Sequence, residues 1–131
     1  MKVSGFTFIR NGSSLGYPFI ESIKSILPIC DEFIIALGKS EDNTLNKIRA
    51  LKSKKIKIIE TSWNENISDR GFVYAQQKMI AQYNCSGDWA FYLEGDEIID
   101  PKDHKNILAS MRQHLNNNDI EALAFKYYHF Y

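Results

Sequence analysis

The chain has only two cysteines among its 131 residues, Cys30 and Cys85, and neither belongs to a Cys-x-x-Cys pair. That excludes a disulfide scaffold and a thiolate zinc site, and it suggests reduced thiols in the cytosol. The three histidines, His104, His114 and His129, have no metal-like spacing. An excess of positive charge is also missing, because sixteen Lys and Arg balance sixteen Asp and Glu. A nucleic-acid binder usually needs a basic face, so nucleic acid is not an expected partner. The one local basic patch, residues 52–57, is better explained as a solvated edge before a strand. No apolar run is long enough to span a bilayer, and the N-terminus lacks the basic-then-apolar layout of a signal peptide. The expected location is therefore cytoplasmic. There is no repeat, no low-complexity linker and no shift in composition, so residues 1–131 read as a single domain. What is present is a globular composition: 44% hydrophobic residues, with eight Phe, seven Tyr and two Trp, enough to bury a real core.

Along the chain, short apolar strands alternate with helical stripes. Val3–Ile9 is β-rich and reads as a strand. Pro18 can open a helix that carries Phe19, Ile20, Ile23, Ile26 and Leu27 on one face, and Pro28 closes it. Residues 33–37 form a second strand, and Asp42 or Asn43 can cap a helix carrying Leu45, Ile48 and Leu51. Residues 56–59 form a third strand. Ser68 or Asp69 can cap a longer helix with Phe72, Ala75, Gln76, Met79, Ile80 and Tyr83 at helical spacing. Residues 89–93 form a fourth strand, and Asp100-Pro101 starts a helix with His104, Ile107, Leu108, Met111 and Leu115 inward. Residues 122–131, ending in an aromatic run, read as a final strand packed into the core.

This alternation predicts an α/β domain: a three-layer sandwich with a mostly parallel central sheet, right-handed crossovers and helices on both faces. Ligands of such sheets bind beyond the carboxyl ends of the strands. There the sequence places Arg10-Asn11-Gly12, then Gly38-Lys39-Ser40-Glu41-Asp42, then Trp63-Asn64-Glu65 leading to Asp69-Arg70-Gly71, and finally Glu94-Gly95-Asp96-Glu97. The last is the most informative. An apolar strand runs straight into three carboxylates, which repel one another unless a cation or a donor-rich ligand sits between them. Oxygen-only ligands suit Mg²⁺ or Mn²⁺ rather than zinc. The same tetrapeptide also reads as a solvated turn leading into the next helix.

Order and spacing tie these pieces together. The Lys2-Val3-Ser4 start, the Arg10-Asn11 strand end and the helix over 19–27 form one piece. Ser40-Glu41-Asp42-Asn43-Thr44 is a Ser-Thr-Asp-Gly-Thr-like segment. Ser62-Trp63-Asn64-Glu65-Asn66 with Asp69-Arg70-Gly71 is similar to a Trp-Asn-Asp…Ala-Arg-Asn stretch. Gly87-Asp88-Trp89 with Glu94-Gly95-Asp96-Glu97 is similar to Gly-Asp-Trp…Asp-Ala-Asp-Glu. In this order they resemble the N-terminal, donor-binding part of a family-two glycosyltransferase of the GT-A fold, a nucleotide-diphospho-sugar transferase. The resemblance covers nearly the whole chain. It implies a nucleotide-diphosphate sugar as ligand, and Mn²⁺ or Mg²⁺ between the diphosphate oxygens to stabilise the leaving charge. It assigns Asp96 to the metal, with Glu94 helping to hold the ion, directly or through water, or contacting ribose. Glu97 would hydrogen-bond the acceptor or the following loop. Arg70 would lie near the base and diphosphate, where its planar donors suit either. Arg10 and Asn11 would sit over the nucleoside, with Asp42 beside them.

Each assignment has a plainer counterpart. Arg70 can pair with Asp69 or Glu65, Asp42 can serve as a helix cap, and Arg10 can be an ordinary loop residue. Trp63, Tyr74 and Tyr83 fit packing at the core or rim, and His104 fits a partly buried, hydrogen-bonded position. The chain also departs from the family pattern. Leu37-Gly38 stands where many members carry an acidic base-reader, and Glu94 is longer than the usual aspartate. Members continue past this point into an acceptor-binding half that supplies the catalytic base, and no candidate base is visible here. The catalytic residue and the acceptor are therefore unknown, and the chain reads as apparently truncated: a fragment of a longer enzyme, or a short relative without catalysis. Three functions stand at this level: a donor-binding domain of a glycosyltransferase, a non-catalytic nucleotide-sugar binding module, and an interaction domain. Loss of the acceptor half would leave apolar surface bare, so self-association built partly on residues 127–131 is expected.

Overall fold

The computed structural model describes residues 1–67 and 71–130. Four strands, β1 (Val3–Ile9), β2 (Glu32–Gly38), β3 (Ile56–Thr61) and β4 (Trp89–Tyr92), pair in parallel in the order β3-β2-β1-β4. Every residue of β2 is buried, as its unbroken apolar run requires of a central strand covered on both faces. Among the described residues four α-helices connect and cover them: α1 (Phe19–Ile26), α2 (Thr44–Arg49), α3 (Phe72–Tyr83) and α4 (His104–His114). Among the described residues no helix is long and apolar enough to cross a membrane.

The period-two alternation divides the core between the two faces. Val3, Ile9, Phe33, Ile35, Leu37, Phe91 and Leu93 face one way and pack with Phe19, Ile23 and Ile26 of α1, Ile48 of α2, and Ile107 and Met111 of α4. Phe6, Ile34 and Ala36 face the other way and meet α3 at Ala81. The layers are therefore helix, sheet, helix, and the expected α/β sandwich with a parallel sheet is what the chain forms.

Parallel strands have no hairpin turn to set their register. Here a buried carboxylate at the amino edge ties all four together. Glu32 opens β2 and is 3% exposed. Its Oε1 accepts from Ser4 Oγ of β1 at 2.7 Å, and from the Ser86 amide and hydroxyl, just ahead of β4, at 2.7 Å each. Its Oε2 accepts from Lys57 Nζ of β3 at 2.6 Å. Burial alone would push the Glu32 carboxyl up, but the Lys57 ammonium and the Ser4 and Ser86 donors outweigh it and hold the group well below the ordinary carboxylate range.

Two expectations fail. Residues 122–130 form no strand. Leu123 packs on the core and Phe125 stacks on Phe91 at 5.3 Å, whereas Tyr127, Tyr128 and Phe130 are exposed. Bulky rings on both sides of the run leave it without a single face to bury. Tyr131 lies outside the described residues, as do Ser68 and Asp69, the expected caps of α3. The second failure is the face of α3. Gln77 and Ala81 turn inward, and Phe72, Met79 and Tyr83 are exposed. The small Ala81 lets the helix approach Phe6, Ile34 and Ala36, and the Gln77 amide oxygen accepts from Thr61 Oγ1 of β3.

Glu32 gives a pH-dependent prediction. A depressed carboxylate contributes stability above its unfolded value, and that contribution is lost as pH falls toward the folded value. Glu32→Gln should lower unfolding free energy by about 1–3 kcal/mol at pH 7, through its weakened charge-assisted bonds. The gap from wild type should shrink between about pH 5 and about pH 2, as the unfolded chain's carboxylate takes up a proton while the native one stays ionised. Denaturant titrations of both proteins at pH 7 and pH 3 check it; equal stability at pH 7 would remove Glu32 from this role.

Candidate functional site: a cleft at the carboxyl edge

From β1 the chain steps to β2 and β3 on one side, then returns to β4 on the other side of β1. Strand order thus reverses between β1 and β4, which is where open α/β sheets bind ligands. A cleft of about 580 Å³ lies at that point. Phe8, Ile9, Arg10 and Asn11 line it from β1 and its end, and Tyr92, Glu94, Gly95 and Asp96 line it from β4 and its end. Leu15, Tyr17 and Trp63 contribute from loops, and Tyr74, Ala75 and Lys78 from α3.

Backbone-directed side chains hold the loop after β1. Asn11 adopts a left-handed φ of 51°, which asparagine tolerates better than most residues. Its amide donates to Ser40 Oγ at 3.0 Å, and its Oδ1 accepts from the Glu41 amide at 2.9 Å. Asp42 fixes the same loop from the other side. One of its oxygens accepts from the Ser14 amide and hydroxyl, and the other from the Thr44 amide and hydroxyl. Burial would raise the Asp42 carboxyl, yet the Thr44 and Ser14 donors hold it well below the usual range. The carboxylate both caps the start of α2 and staples the loop from β1 to it. At the end of β2, a Cβ on Gly38 would fall 2.5 Å from Trp63 Nε1, so a glycine here lets the indole lie against the strand.

An aromatic wall follows. Phe8 meets Trp63, Tyr74 and Tyr92 with ring centroids 6.3, 5.9 and 6.5 Å apart. Two cations lie on it. The Arg10 guanidinium is 5.2 Å from the Trp63 ring centroid and is paired with the Glu65 carboxylate at 2.6 Å. The Lys78 ammonium is 3.6 Å from the Tyr92 ring centroid.

Helix α1 positions the acidic loop opposite. Ser22 Oγ donates to the Glu94 carbonyl at 2.9 Å, and the Ile99 amide donates to Ser25 Oγ at 3.0 Å. The expected role of His104 is met: it is half-buried, and its Nε2 donates to the Ser25 carbonyl at 2.7 Å. Within the loop the carboxylates differ. Glu97 turns back and accepts from the Glu94 amide at 2.9 Å. The Glu94 side chain is exposed and reaches only the Tyr92 hydroxyl, at 3.5 Å. Asp96 is exposed, and its carboxylate has no partner among the described residues. Burial, then the nearby Glu94, Glu97 and Asp96 charges, push the Tyr92 phenol above its ordinary value, so it stays neutral.

The structure brings Arg10, Asn11, Glu94 and Asp96 together around one cleft. Asp42 does not line it and acts on the loop behind Asn11. Arg70 lies outside the described residues. Among those residues, no group of three or more His, Cys, Asp or Glu is gathered as a metal cage. The sequence reading did not single out Lys78, Tyr92, Leu15 or Tyr17. The available signal was Tyr74 and Lys78, four apart on one helix, with Tyr92 opposite Phe91 in strand alternation.

No family model matches the chain, and no curated protein matches it. Solved structures do. TarS 1–349 from S. aureus matches with a TM-score of 0.67 and 19% identity over 87% of this chain. TarS itself matches with the same score and identity, and TarS 1–349 in complex with UDP matches with a TM-score of 0.66 and 20% identity. The chain spans 33% of TarS 1–349 and 20% of the longer TarS chain. At this level of identity the likeness is one of fold. The resemblance read from the residues holds at that level: the chain has a GT-A-like α/β fold, shared with the part of TarS that it covers.

Proposed function

We propose that the cleft binds a nucleotide-diphosphate sugar together with Mn²⁺ or Mg²⁺, and that this chain is the donor-binding part of a glycosyltransferase whose acceptor is supplied elsewhere. The observation that carries this reading is the pair Glu94 and Asp96. Both are exposed on the rim of the cleft, and neither is paired with a cation among the described residues. Carboxylate oxygens of this kind fit a hard divalent ion. Two of them cannot fill a six-coordinate shell, so the remaining positions suit diphosphate oxygens. The bound ion would supply charge stabilisation for the departing diphosphate. Asp96 would be its main protein ligand, with Glu94 beside it.

The chain's other residues shape the ligand's surroundings. Asn11 and Arg10, with the aromatic wall, would border the nucleoside, and Asp42 would keep the Asn11 loop in place. Arg70 retains the base and diphosphate role that the resemblance assigns it. The two free cysteines suit a cytoplasmic protein. Cys30 is buried, with its thiol pushed up to about 12 by burial, and Cys85 is raised to about 11 for the same reason. A second reading, a nucleotide-sugar binding module without transfer activity, is favoured by one feature: among the described residues, no carboxylate other than Glu94 and Asp96 lines the cleft to act as a base. Donor hydrolysis or transfer by this chain would separate the two.

Calorimetry with UDP and GDP, with and without Mn²⁺, tests the metal-linked site. Wild type should bind weakly without metal and more tightly with it. Asp96→Asn should lose most of the metal-dependent gain, about tenfold or more in affinity, because it removes one ligand charge while keeping shape. Glu97→Gln should lose less, since its side chain is engaged with the Glu94 amide. No metal-linked binding of any nucleoside diphosphate by wild type would end this reading, and equal binding by Asp96→Asn would take Asp96 out of the site.

Self-association belongs to the same proposal. Tyr127, Tyr128 and Phe130 are 68%, 86% and 94% exposed, and such apolar surface favours burial against another molecule. Light scattering should show a dimer or larger species, whereas a clean monomer over a broad concentration range would count against it.

A further inference from the structure

Among the described residues, the two cations that line the cleft are held in different ways. The Arg10 guanidinium is in contact with the Glu65 carboxylate, a neighbouring negative charge that opposes its pull on an anionic ligand. Lys78 has no carboxylate within ion-pair distance among the described residues. Its ammonium instead rests on the face of Tyr92, a ring itself packed against Phe6 at 5.3 Å and against Phe8. An aromatic face attracts a cation through its quadrupole without neutralising it. Lys78 is thus a half-buried cation of the cleft, seated on a packed ring and paired with no carboxylate among the described residues.

We infer that Lys78 is an anion-binding residue of the cleft: it pairs directly with a phosphate oxygen of the ligand, with no metal between them. This rests on the donor-binding reading above. It adds a second, metal-independent contact on the α3 side of the cleft, facing the Glu94 and Asp96 rim that the divalent ion would occupy. An ammonium on a flexible stem suits this role, since it acts as a compact point charge that can follow a phosphate as the ligand settles. Arg10, engaged by Glu65 and stacked on Trp63, serves as wall rather than counter-charge.

Inorganic pyrophosphate in EDTA probes the direct contact, and UDP with Mn²⁺ probes its part in the full site, each titrated into wild type, Lys78→Gln and Lys78→Arg. Wild type should bind metal-free pyrophosphate weakly, with affinity falling as salt rises. Lys78→Gln should weaken both ligands by about tenfold, and Lys78→Arg should restore most of the loss because it keeps the charge. The thermal midpoints of the three proteins should agree. Wild-type affinity in Lys78→Gln, failure of Lys78→Arg to restore binding, or metal-linked UDP binding by a wild type that ignores metal-free pyrophosphate would each overturn this inference and leave the donor reading standing. A wild type that binds neither ligand would overturn both.

Discussion

The Glu32 carboxylate is the interaction on which the rest of this structure depends. Hydrophobic alternation decides which face of a strand is buried, but it does not distinguish registers two residues apart. In a hairpin the turn settles that question, and parallel strands have no such turn. Glu32 takes its place by gathering donors from β1, from β3 and from the residue leading toward β4 at one buried point. Displacing β1 or β3 by two residues would leave one of its oxygens short of a partner in a dry environment, which is costly. Because the amino edge is fixed this way, the carboxyl ends of β1 and β4 fall side by side, and the cleft between them has a defined width.

The acidic residues divide by what they hold. Glu32 and Asp42 each accept several protein donors and are depressed for that reason, while Glu97 is committed to the Glu94 amide and Glu65 to Arg10. These are carboxylates whose charge is already answered within the fold. Among the described residues, Glu94 and Asp96 are not answered by any cation, and they stand on the same cleft as Lys78, whose charge no described carboxylate answers. Charges held apart and unpaired at a concave site cost stability to maintain, and such sites are where ligands with both cationic and anionic parts find complementary groups.

Much of this was legible in the sequence, for identifiable reasons. The span of β1 and the starts of α1 and α4 followed from β-rich runs and from prolines, which act through local backbone geometry. The convergence of Arg10 and Asp96 followed from the rule that places strand ends on one edge, whereas Asp42, which the same rule brings to that edge, holds the loop behind Asn11 instead, and Arg70 lies outside the described residues. The role of Glu32 was not legible: a charged residue beside an apolar run reads as a loop until its partners, 25 to 54 residues away, are known. Lys78 was hidden for the same reason, because nothing local links it to Tyr92. The face of α3 was misread because apolar type was taken as a proxy for burial, whereas the sheet beneath it favoured the small Ala81 and the hydrogen-bonding Gln77. The run after residue 121 was misread because aromatic content suggests a strand even where both sides of the chain are bulky.

Both misread segments concern the same property, apolar surface without cover, and its distribution has a consequence for function. Leu15, Tyr17, Tyr74 and Ile98 are all about half or more exposed, and all belong to the carboxyl side of the sheet, in the loop after β1, at the start of α3 and in the loop after β4. Lys2, Lys52, Lys54 and Lys57 instead occupy the amino side, where lysine keeps an edge solvated. The carboxyl end of the sheet thus carries an open, partly apolar rim around the cleft, while Glu32 closes the amino end. An apolar rim beside unpaired charges lowers the local dielectric once something covers it, which strengthens each charge–ligand contact inside. Binding in the open cleft should therefore be weaker than the same contacts would give under a cover, and whatever packs on Leu15, Tyr17, Tyr74 and Ile98 would tighten the site without touching the ligand.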